Sequence, residues 1–149
     1  MGMFVRSYIR FVANDVHPRS RRRLGVFRAT GRLMHLGGLA PEEHELLEEE
    51  LAWFNANLPV PPRPLFQGGR AICWFKTDAH SCIDRLWNIV WVLRANGIEV
   101  ARIRTAHPGR LRYQDDFQVV AVPTPKRRGG GAILATAFLF LWPAPPRLA

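Results

Sequence analysis

The residues of this chain that could carry out thiol or acid–base chemistry are gathered in one short stretch, where Asp78, His80, Cys82 and Asp84 alternate along the sequence. A thiol near the start of a helix ionises more readily, and a neighbouring imidazole can take up its proton, so the stretch suggests a nucleophilic cysteine. The competing interpretation is that Cys82 lies on the apolar stripe of the same helix and is buried as a small hydrophobic residue. An enzyme with a Cys82/His80 site is therefore the third of three functional hypotheses.

Other catalytic and cofactor signatures are absent from the sequence. The acidic and histidine residues near Cys82 have no second pair of metal ligands at a recognised spacing, which argues against a metal site. The chain also has no P-loop, no Gly-x-Gly-x-x-Gly, no Gly-x-Ser-x-Gly and no His-Glu-x-x-His. We predict no cofactor and no metal, and a function that is binding and not catalysis.

Cationic and aromatic residues alternate with apolar ones along three predicted strands. If the apolar positions face the core, aromatic and cationic side chains share the opposite face. Single-stranded nucleic acid binds such surfaces, because bases stack on aromatic rings and cations contact phosphates. The alternative is an ordinary solvent-facing sheet surface without a ligand. Together with the arginines of a polar loop, the predicted nucleic-acid or anion-binding residues are Arg6, Tyr8, Arg10, Arg21, Arg22, Arg23, Trp74, Lys76, Arg102 and Arg104.

The charge of the chain is strongly positive and unevenly distributed. Its 149 residues include 21 Lys and Arg against 12 Asp and Glu, for a formal charge of +9. Six of the 12 acids lie between Glu42 and Glu50, which leaves +15 on the rest of the chain. Such a body attracts polyanions, among them nucleic acid and acidic partners. Because only Lys76 and Lys126 are lysines, the arginine excess could also reflect nucleotide composition.

Tryptophan and phenylalanine residues on two predicted helices indicate a second functional hypothesis. Trp53 and Phe54 end the acidic helix, while Trp87 and Trp91 form an additional apolar stripe one turn apart on a later helix. Tryptophan is enriched in the hot spots of protein interfaces, so these residues suggest a protein–protein interaction module or a homodimer. The alternative is simple burial within the chain's own core.

The elements that must position these residues follow from hydrophobic periodicity and from turn residues. A strand is predicted over Met3–Val12, a polar turn over Asn14–Arg23, and helices over Leu24–Leu36 and Pro41–Asn57. After a proline-rich loop, Arg70–Lys76 reads as a strand and Asp78 as the N-cap of a helix ending near Asn96. Three more strands are predicted over Ile98–Thr105, Leu111–Tyr113 and Phe117–Val122.

This order predicts an α+β fold, a two-layer sandwich whose mostly antiparallel sheet carries the helices on one face. The length and the 48% hydrophobic content fit one domain over residues 1–125, with the proline-rich loop 58–69 inside it. Residues 126–149 form a basic, glycine-rich linker and an apolar, proline-rich tail. The apolar run Ala132–Trp142 is too short to span a bilayer. Arg6 and Arg10 interrupt the first apolar stretch, and the two cysteines suggest a reducing compartment, so we expect a cytoplasmic protein without a membrane partner.

Part of the sequence also resembles known proteins. The pieces that carry the likeness are Trp74-Phe75-Lys76, Pro108-Gly109, Tyr113, Asp115 and Gln118-Val119-Val120-Ala121. On these residues the chain resembles a group of short, uncharacterised bacterial single-domain proteins over roughly residues 3–122, and the tail after Arg128 departs from their pattern. The resemblance implies a bacterial origin and a single domain, and it implies no activity.

Overall fold

The computed structural model describes residues 6–16 and 23–125. In chain order the elements are β1 (Tyr8–Val16), β2 (Arg23–Gly25), α1 (Val26–Leu36), α2 (Pro41–Asn57), β3 (Ile72–Lys76), α3 (His80–Ala95), β4 (Val100–Thr105), β5 (Arg110–Gln114) and β6 (Gln118–Val122). One turn of 3₁₀ helix, Arg63–Phe66, interrupts the proline-rich loop between α2 and β3.

All six strands form one antiparallel sheet with β1 near its centre. The order across the sheet is β4, β1, β3, β6, β5. Val12 pairs with Gly25 of β2 and also with Ala101 of β4, so β2 continues along the edge of β1 that β3 leaves free. In the part of the chain that the structure describes, β4 and β5 lie at the two ends of this order, and the short β2 pairs only with β1.

The three helices cover one face of this sheet. α1 packs on β1 and β2, and α3 packs on β4 and on both other helices. The aromatic ring of Phe54 in α2 lies 4.9 Å from that of Phe27 in α1 and 6.4 Å from that of Phe75 in β3, as measured between ring centroids. These contacts produce the main hydrophobic core between the helices and the sheet.

Helix boundaries follow local chemistry. Pro41 begins α2, where the missing amide proton costs nothing, and the Glu43 carboxylate accepts a hydrogen bond from the Ala40 amide at 3.3 Å. α1 ends at Leu36, and its C-cap is Gly37, whose φ of 75° favours glycine. The prediction that Asp78 caps α3 is wrong, because the N-cap is Ala79 and no side chain donates or accepts a capping bond there.

The acidic helix α2 is fixed to α3 by one buried carboxylate. Glu50 is 5% exposed and accepts hydrogen bonds from Arg85 and Asn88, each at 3.3 Å. The Arg85 guanidinium also lies 4.5 Å from the centre of the Trp53 ring. Of the six acids in α2, Glu50 therefore serves packing, and four others are exposed: Glu42, Glu45, Glu48 and Glu49.

The predicted α+β class, with helices on one face of an antiparallel sheet, is confirmed. Helix α2 has the predicted bounds, and the loop after it contains no strand. The polar turn predicted over Asn14–Arg23 is wrong at both ends, because β1 runs on to Val16 and Arg23 begins the strand that pairs with it. The expected start of the first strand at Met3 lies outside the described residues.

None of the helices in residues 6–16 and 23–125 has both the length and the apolar character needed to cross a bilayer. The apolar run Ala132–Trp142 and the basic linker before it lie outside the described residues.

Candidate nucleic-acid interface

Strand pairing decides which side chains share the sheet face opposite the helices, here called the helix-free face. Tyr8 pairs with Lys76, and Trp74 pairs with Val119; residues paired across antiparallel strands point to the same side. Their chain neighbours Ile9, Phe75 and Val120 belong to the core under the helices. The helix-free face therefore carries Tyr8, Arg10, Ile72, Trp74, Lys76, Val119 and Ala121.

The aromatic residues of the helix-free face are buried. Tyr8 is 6% exposed and Trp74 is 7% exposed, and they form a second apolar cluster with Ile72, Val119 and Ala121. Bases cannot stack on rings that solvent does not reach. The predicted open stacking surface of Tyr8 and Trp74 is therefore wrong, although both residues lie on the predicted face.

Arg10 belongs to the same cluster. Its guanidinium carbon lies 5.4 Å from the centre of the Trp74 ring, and the residue is 5% exposed. Burial lowers the pKa of Arg10 to about 10, because desolvation disfavours the charged form. The guanidinium stays charged at neutral pH and stacks on the indole, so Arg10 stabilises the cluster and does not present a cation to a ligand.

Arg102 and Arg104 do not share the helix-free face. Arg102 pairs with Phe11 and Arg104 pairs with Ile9, and both partners lie under the helices. The expected placement of these two arginines beside Tyr8 is therefore wrong. Both are nevertheless exposed on the outer strand β4, and the Arg104 guanidinium donates to the Ser7 hydroxyl from Nε at 3.2 Å and from Nη2 at 3.0 Å.

The remaining predicted cations are spread over the chain. Lys76 is half-buried at the end of β3 on the helix-free face. Arg23 begins β2, whereas Arg21 and Arg22 lie outside the described residues. Arg6 precedes β1, is exposed, and lines a cavity together with the edge of Tyr8.

This cavity is the strongest candidate site, and we call it the cationic cavity. It has a volume of about 500 Å³ and is lined by Arg6, Tyr8, the connection from Ala106 to Gly109, Arg110, Leu111 and Thr124. Arg6, Arg110 and His107, which lies in the connection, are all exposed, and none of the lining residues that the structure describes is acidic. Cationic groups without a nearby carboxylate produce a positive potential that attracts anions.

The shape of the cationic cavity comes from the curvature of the sheet. Two strands separate β1 from β5, yet Tyr8 and Leu111 line the same cavity. Leu111 pairs with Ala121 and so lies on the helix-free face. The four-residue connection between β4 and β5 closes one side of this concave surface.

One glycine holds that connection against the end of β6. Gly109 has a φ of 116°, a conformation that other residues rarely adopt. A Cβ at this position would lie 2.7 Å from the Val122 carbonyl carbon and 2.8 Å from the Pro123 Cα. Only glycine allows this close approach, which fixes the backbone between His107 and Arg110.

A second cavity, of about 720 Å³, lies between the end of α3 and the start of β4. It is lined by one arginine, Arg94, and one carboxylate, Glu99. Arg94 already donates to the Val100 carbonyl at 2.9 Å and lies 5.6 Å from the Trp87 ring centre. Although larger, this cavity offers no comparable group of cations.

The thiols are placed for packing. Cys82 is 1% exposed in the core, and burial raises its pKa to about 11, which disfavours the thiolate that a nucleophile requires. Its predicted partner His80 is exposed at the start of α3. Within residues 6–16 and 23–125 no group of three or more metal-ligating side chains is found. These observations argue against the Cys82/His80 enzyme hypothesis.

The predicted partner-interface residues separate into buried and exposed ones. Phe54 is 3% exposed in the core, Trp53 packs edge-on against it with ring centroids 5.2 Å apart, and Trp87 packs edge-on against Phe11 at 5.0 Å. Phe54 is therefore excluded as an interface residue. Trp91, by contrast, is 73% exposed on the outer surface of α3.

The sequence prediction missed His107, Arg110 and Thr124. One signal was present in the sequence, because Arg110 directly follows the Pro108-Gly109 pair, which is typical of a turn. Their proximity to Arg6 depends on the curvature of the sheet, which periodicity does not reveal.

No family model, no curated protein and no solved structure matches this chain. The likeness to short bacterial proteins stays a prediction. Functional inference therefore depends on the site geometry alone.

Proposed function

We propose that the protein is a small, non-enzymatic binding protein that contacts nucleic acid through the cationic cavity and the exposed arginines of the outer strands. The observation that supports this proposal is the grouping of the Arg6 and Arg110 guanidinium groups around one cavity, with the His107 ring beside them and no acidic residue among the described lining residues. Phosphate contacts by such cations supply most of the affinity of sequence-independent nucleic-acid binding.

The outer strands extend the cationic surface beyond the cavity. Arg102 and Arg104 are exposed on β4, and Arg110 and Arg112 are exposed on β5. The exposed acids of α2 lie in the helix layer, on the other side of the sheet from the cavity. A polyanion in the cavity would therefore meet Arg6 and Arg110 without passing the acidic helix, whereas Arg102 and Arg104 lie at the outer edge of β4 and point to the helix side.

The mode of binding differs from the stacking surface expected from strand alternation. Because Tyr8 and Trp74 are buried, contact is made with phosphates by cations, and bases gain little stacking. We expect weak dependence on base sequence and strong dependence on salt.

The test is binding of fluorescein-labelled single-stranded RNA and DNA, followed by anisotropy over a range of salt concentrations. A plot of log K against log salt has a negative slope, and the variant Arg6→Ala/Arg110→Ala should make this slope less steep by about 1.4. Each lost phosphate contact accounts for about 0.7 with single strands. The matched control Arg28→Ala/Arg63→Ala removes the same charge from α1 and the proline-rich loop and should bind as the parent protein does.

Three results would contradict the proposal. The first is the absence of salt-dependent binding to either nucleic acid. The second is an equal loss of affinity in the cavity variant and the control variant, which would show that binding depends on the net charge of the protein and not on the cavity. The third is binding of poly-glutamate as tightly as RNA of the same charge, which would assign the surface to an acidic protein partner.

A second candidate function is self-association through α3, and the exposure of Trp91 favours it. A tryptophan that is 73% exposed, with half-buried Trp87 one turn before it, is typical of an interface anchor. Sedimentation velocity at rising concentration should then show a dimer that Trp91→Ala dissociates. A parent protein that stays monomeric over this range would exclude this candidate.

A further inference from the structure

The cationic cavity has the size of a small-ligand site. Its volume of about 500 Å³ lies within the range of small-ligand sites, which is roughly 300–1,000 Å³. The connection from Ala106 to Gly109 lines one side, and Gly109 lies close against the backbone of Val122 and Pro123. A strand end or a free nucleotide fits a space of this volume.

The charge of the cavity suits an anion of higher charge than a phosphodiester. Two guanidinium groups, Arg6 and Arg110, line it together with the His107 ring and the Thr124 hydroxyl. A phosphomonoester carries about −1.5 to −2 charges at neutral pH, whereas each phosphodiester carries one. Arginine also binds phosphate with two parallel hydrogen bonds, which favours a terminal group with three free oxygens.

The cavity also contains an exposed apolar surface next to these cations. Leu111 is 43% exposed on β5, and Pro108 lies in the connection that closes the cavity. Inorganic phosphate has no apolar part that could contact such a surface, whereas a nucleobase or ribose could pack on it. The cavity therefore offers cationic groups that can bind a phosphate and an apolar surface beside them that can contact a base. These two features match the two parts of a nucleotide.

From these observations we propose that the cationic cavity recognises the phosphomonoester of a nucleotide, with Arg6 and Arg110 on the phosphate and Leu111 against the base. This inference rests on the proposed function and specifies its ligand. The same chemistry is offered by the phosphorylated end of a nucleic-acid strand and by a free nucleoside monophosphate. The experiment distinguishes these two sources.

The experiment compares one oligonucleotide with a 5′-phosphate and with a 5′-hydroxyl end, and uses adenosine 5′-monophosphate, adenosine and inorganic phosphate as competitors. We expect about tenfold tighter binding of the phosphorylated end, because the extra charge meets two arginines. Adenosine 5′-monophosphate should compete, and adenosine should not. Arg6→Ala/Arg110→Ala should remove the preference, whereas Arg28→Ala/Arg63→Ala should retain it.

A second variant separates the apolar contact from the charge. Leu111→Ser should weaken competition by adenosine 5′-monophosphate and leave competition by inorganic phosphate unchanged. Both Leu111 and the two arginines are exposed, so these variants are expected to fold, and their thermal unfolding is measured in parallel.

The outcomes separate this inference from the proposed function. Equal binding of both oligonucleotides, with the salt dependence intact and no competition by the nucleotide, overturns the phosphomonoester site and leaves nucleic-acid binding standing. Inorganic phosphate competing as well as adenosine 5′-monophosphate overturns recognition of the nucleotide. Binding of the free nucleotide without a preference between strand ends supports the site and identifies a free nucleotide as its source. No binding of any probe overturns both proposals.

Discussion

Asp115 shows how much one side chain contributes to the turn between β5 and β6. Its Oδ1 accepts hydrogen bonds from the Phe117 amide at 2.8 Å and the Gln118 amide at 3.0 Å. Its Oδ2 accepts from the Tyr113 hydroxyl at 2.8 Å and from the Gln118 Nε2 at 3.0 Å. Four donors, from Tyr113 in β5, Gln118 in β6 and Phe117 in the turn between them, therefore meet one carboxylate, which fixes the hairpin that carries Arg110 and Leu111.

We predict that Asp115→Ala lowers the free energy of unfolding by about 2–3 kcal/mol, since hydrogen bonds to charged groups contribute about 1.5–3 kcal/mol each and water replaces part of the loss. The neighbouring Asp116 is exposed, so Asp116→Ala should change stability by less than about 0.5 kcal/mol. Urea denaturation of both variants provides the measurement. A loss in Asp116→Ala as large as that in Asp115→Ala would show that charge at the turn matters and the hydrogen bonds do not.

Individual residues also show the limit of strand alternation as a guide. Alternation placed Tyr8, Arg10 and Trp74 on one face correctly, but it does not reveal what covers that face, and all three are buried. In β4 it failed on the face itself. Both sides of that strand carry apolar residues, Val100 on one and Ile103 on the other, so only pairing with β1 decides where Arg102 points.

At the scale of elements, the helices were predictable because their signals are local. Pro41, the glycines that follow α1 and α3, and the helical spacing of apolar residues all act within a few residues of each boundary. The pairing of β1 with β2 was not predictable. Asn14 and Asp15 are depleted in strands, and only the contact with Arg23–Gly25 extends β1 through them.

The two tryptophans of α3 allow a residue that packs in the fold to be compared with one on the surface. Trp87 packs on Phe11 under the sheet, and Trp91 is 73% exposed one turn later. We predict that Trp87→Ala costs about 2–4 kcal/mol of unfolding free energy, near the range for large aromatic residues, whereas Trp91→Ala changes it by less than about 0.5 kcal/mol. Urea denaturation at low protein concentration measures both. A large loss for Trp91→Ala under those conditions would mean that this residue serves the fold and is not available to a partner.

For the whole molecule, the fold class was readable because element order and short connections limit the arrangements of a chain of this size. The cationic cavity could not be predicted from the sequence, because it brings Arg6, just before β1, and Arg110 of β5 together across a curved sheet. Charge is also distributed at this scale. The exposed acids are concentrated on α2, and arginines occupy both outer strands. The positive potential near the cavity is therefore stronger than the net charge of +9 alone would suggest.

Because of the buried thiols, the stability of the whole molecule varies with pH in the alkaline range. Burial raises the pKa of Cys73 from its usual value near 9 to about 12, and that of Cys82 to about 11. Between pH 9 and these values the folded protein keeps protons that the unfolded chain releases, so stability falls as pH rises. Cys73 alone would contribute a slope of at most about 1.4 kcal/mol per pH unit.

Two other groups limit the pH range in which the thiols can be observed. Burial raises the pKa of Tyr113 to about 12, which adds to the loss above pH 10, while the lowered pKa of Arg10, about 10, acts in the opposite direction there. We therefore predict a decline in unfolding free energy between pH 8.5 and about pH 10, with a flat dependence in Cys73→Ala/Cys82→Ala over the same range. Urea denaturation at pH 7.5, 8.5, 9.5 and about 10 measures the slope, which is independent of the constant loss from removing two buried side chains. If the double variant keeps the slope of the parent protein, the thiols are not its source.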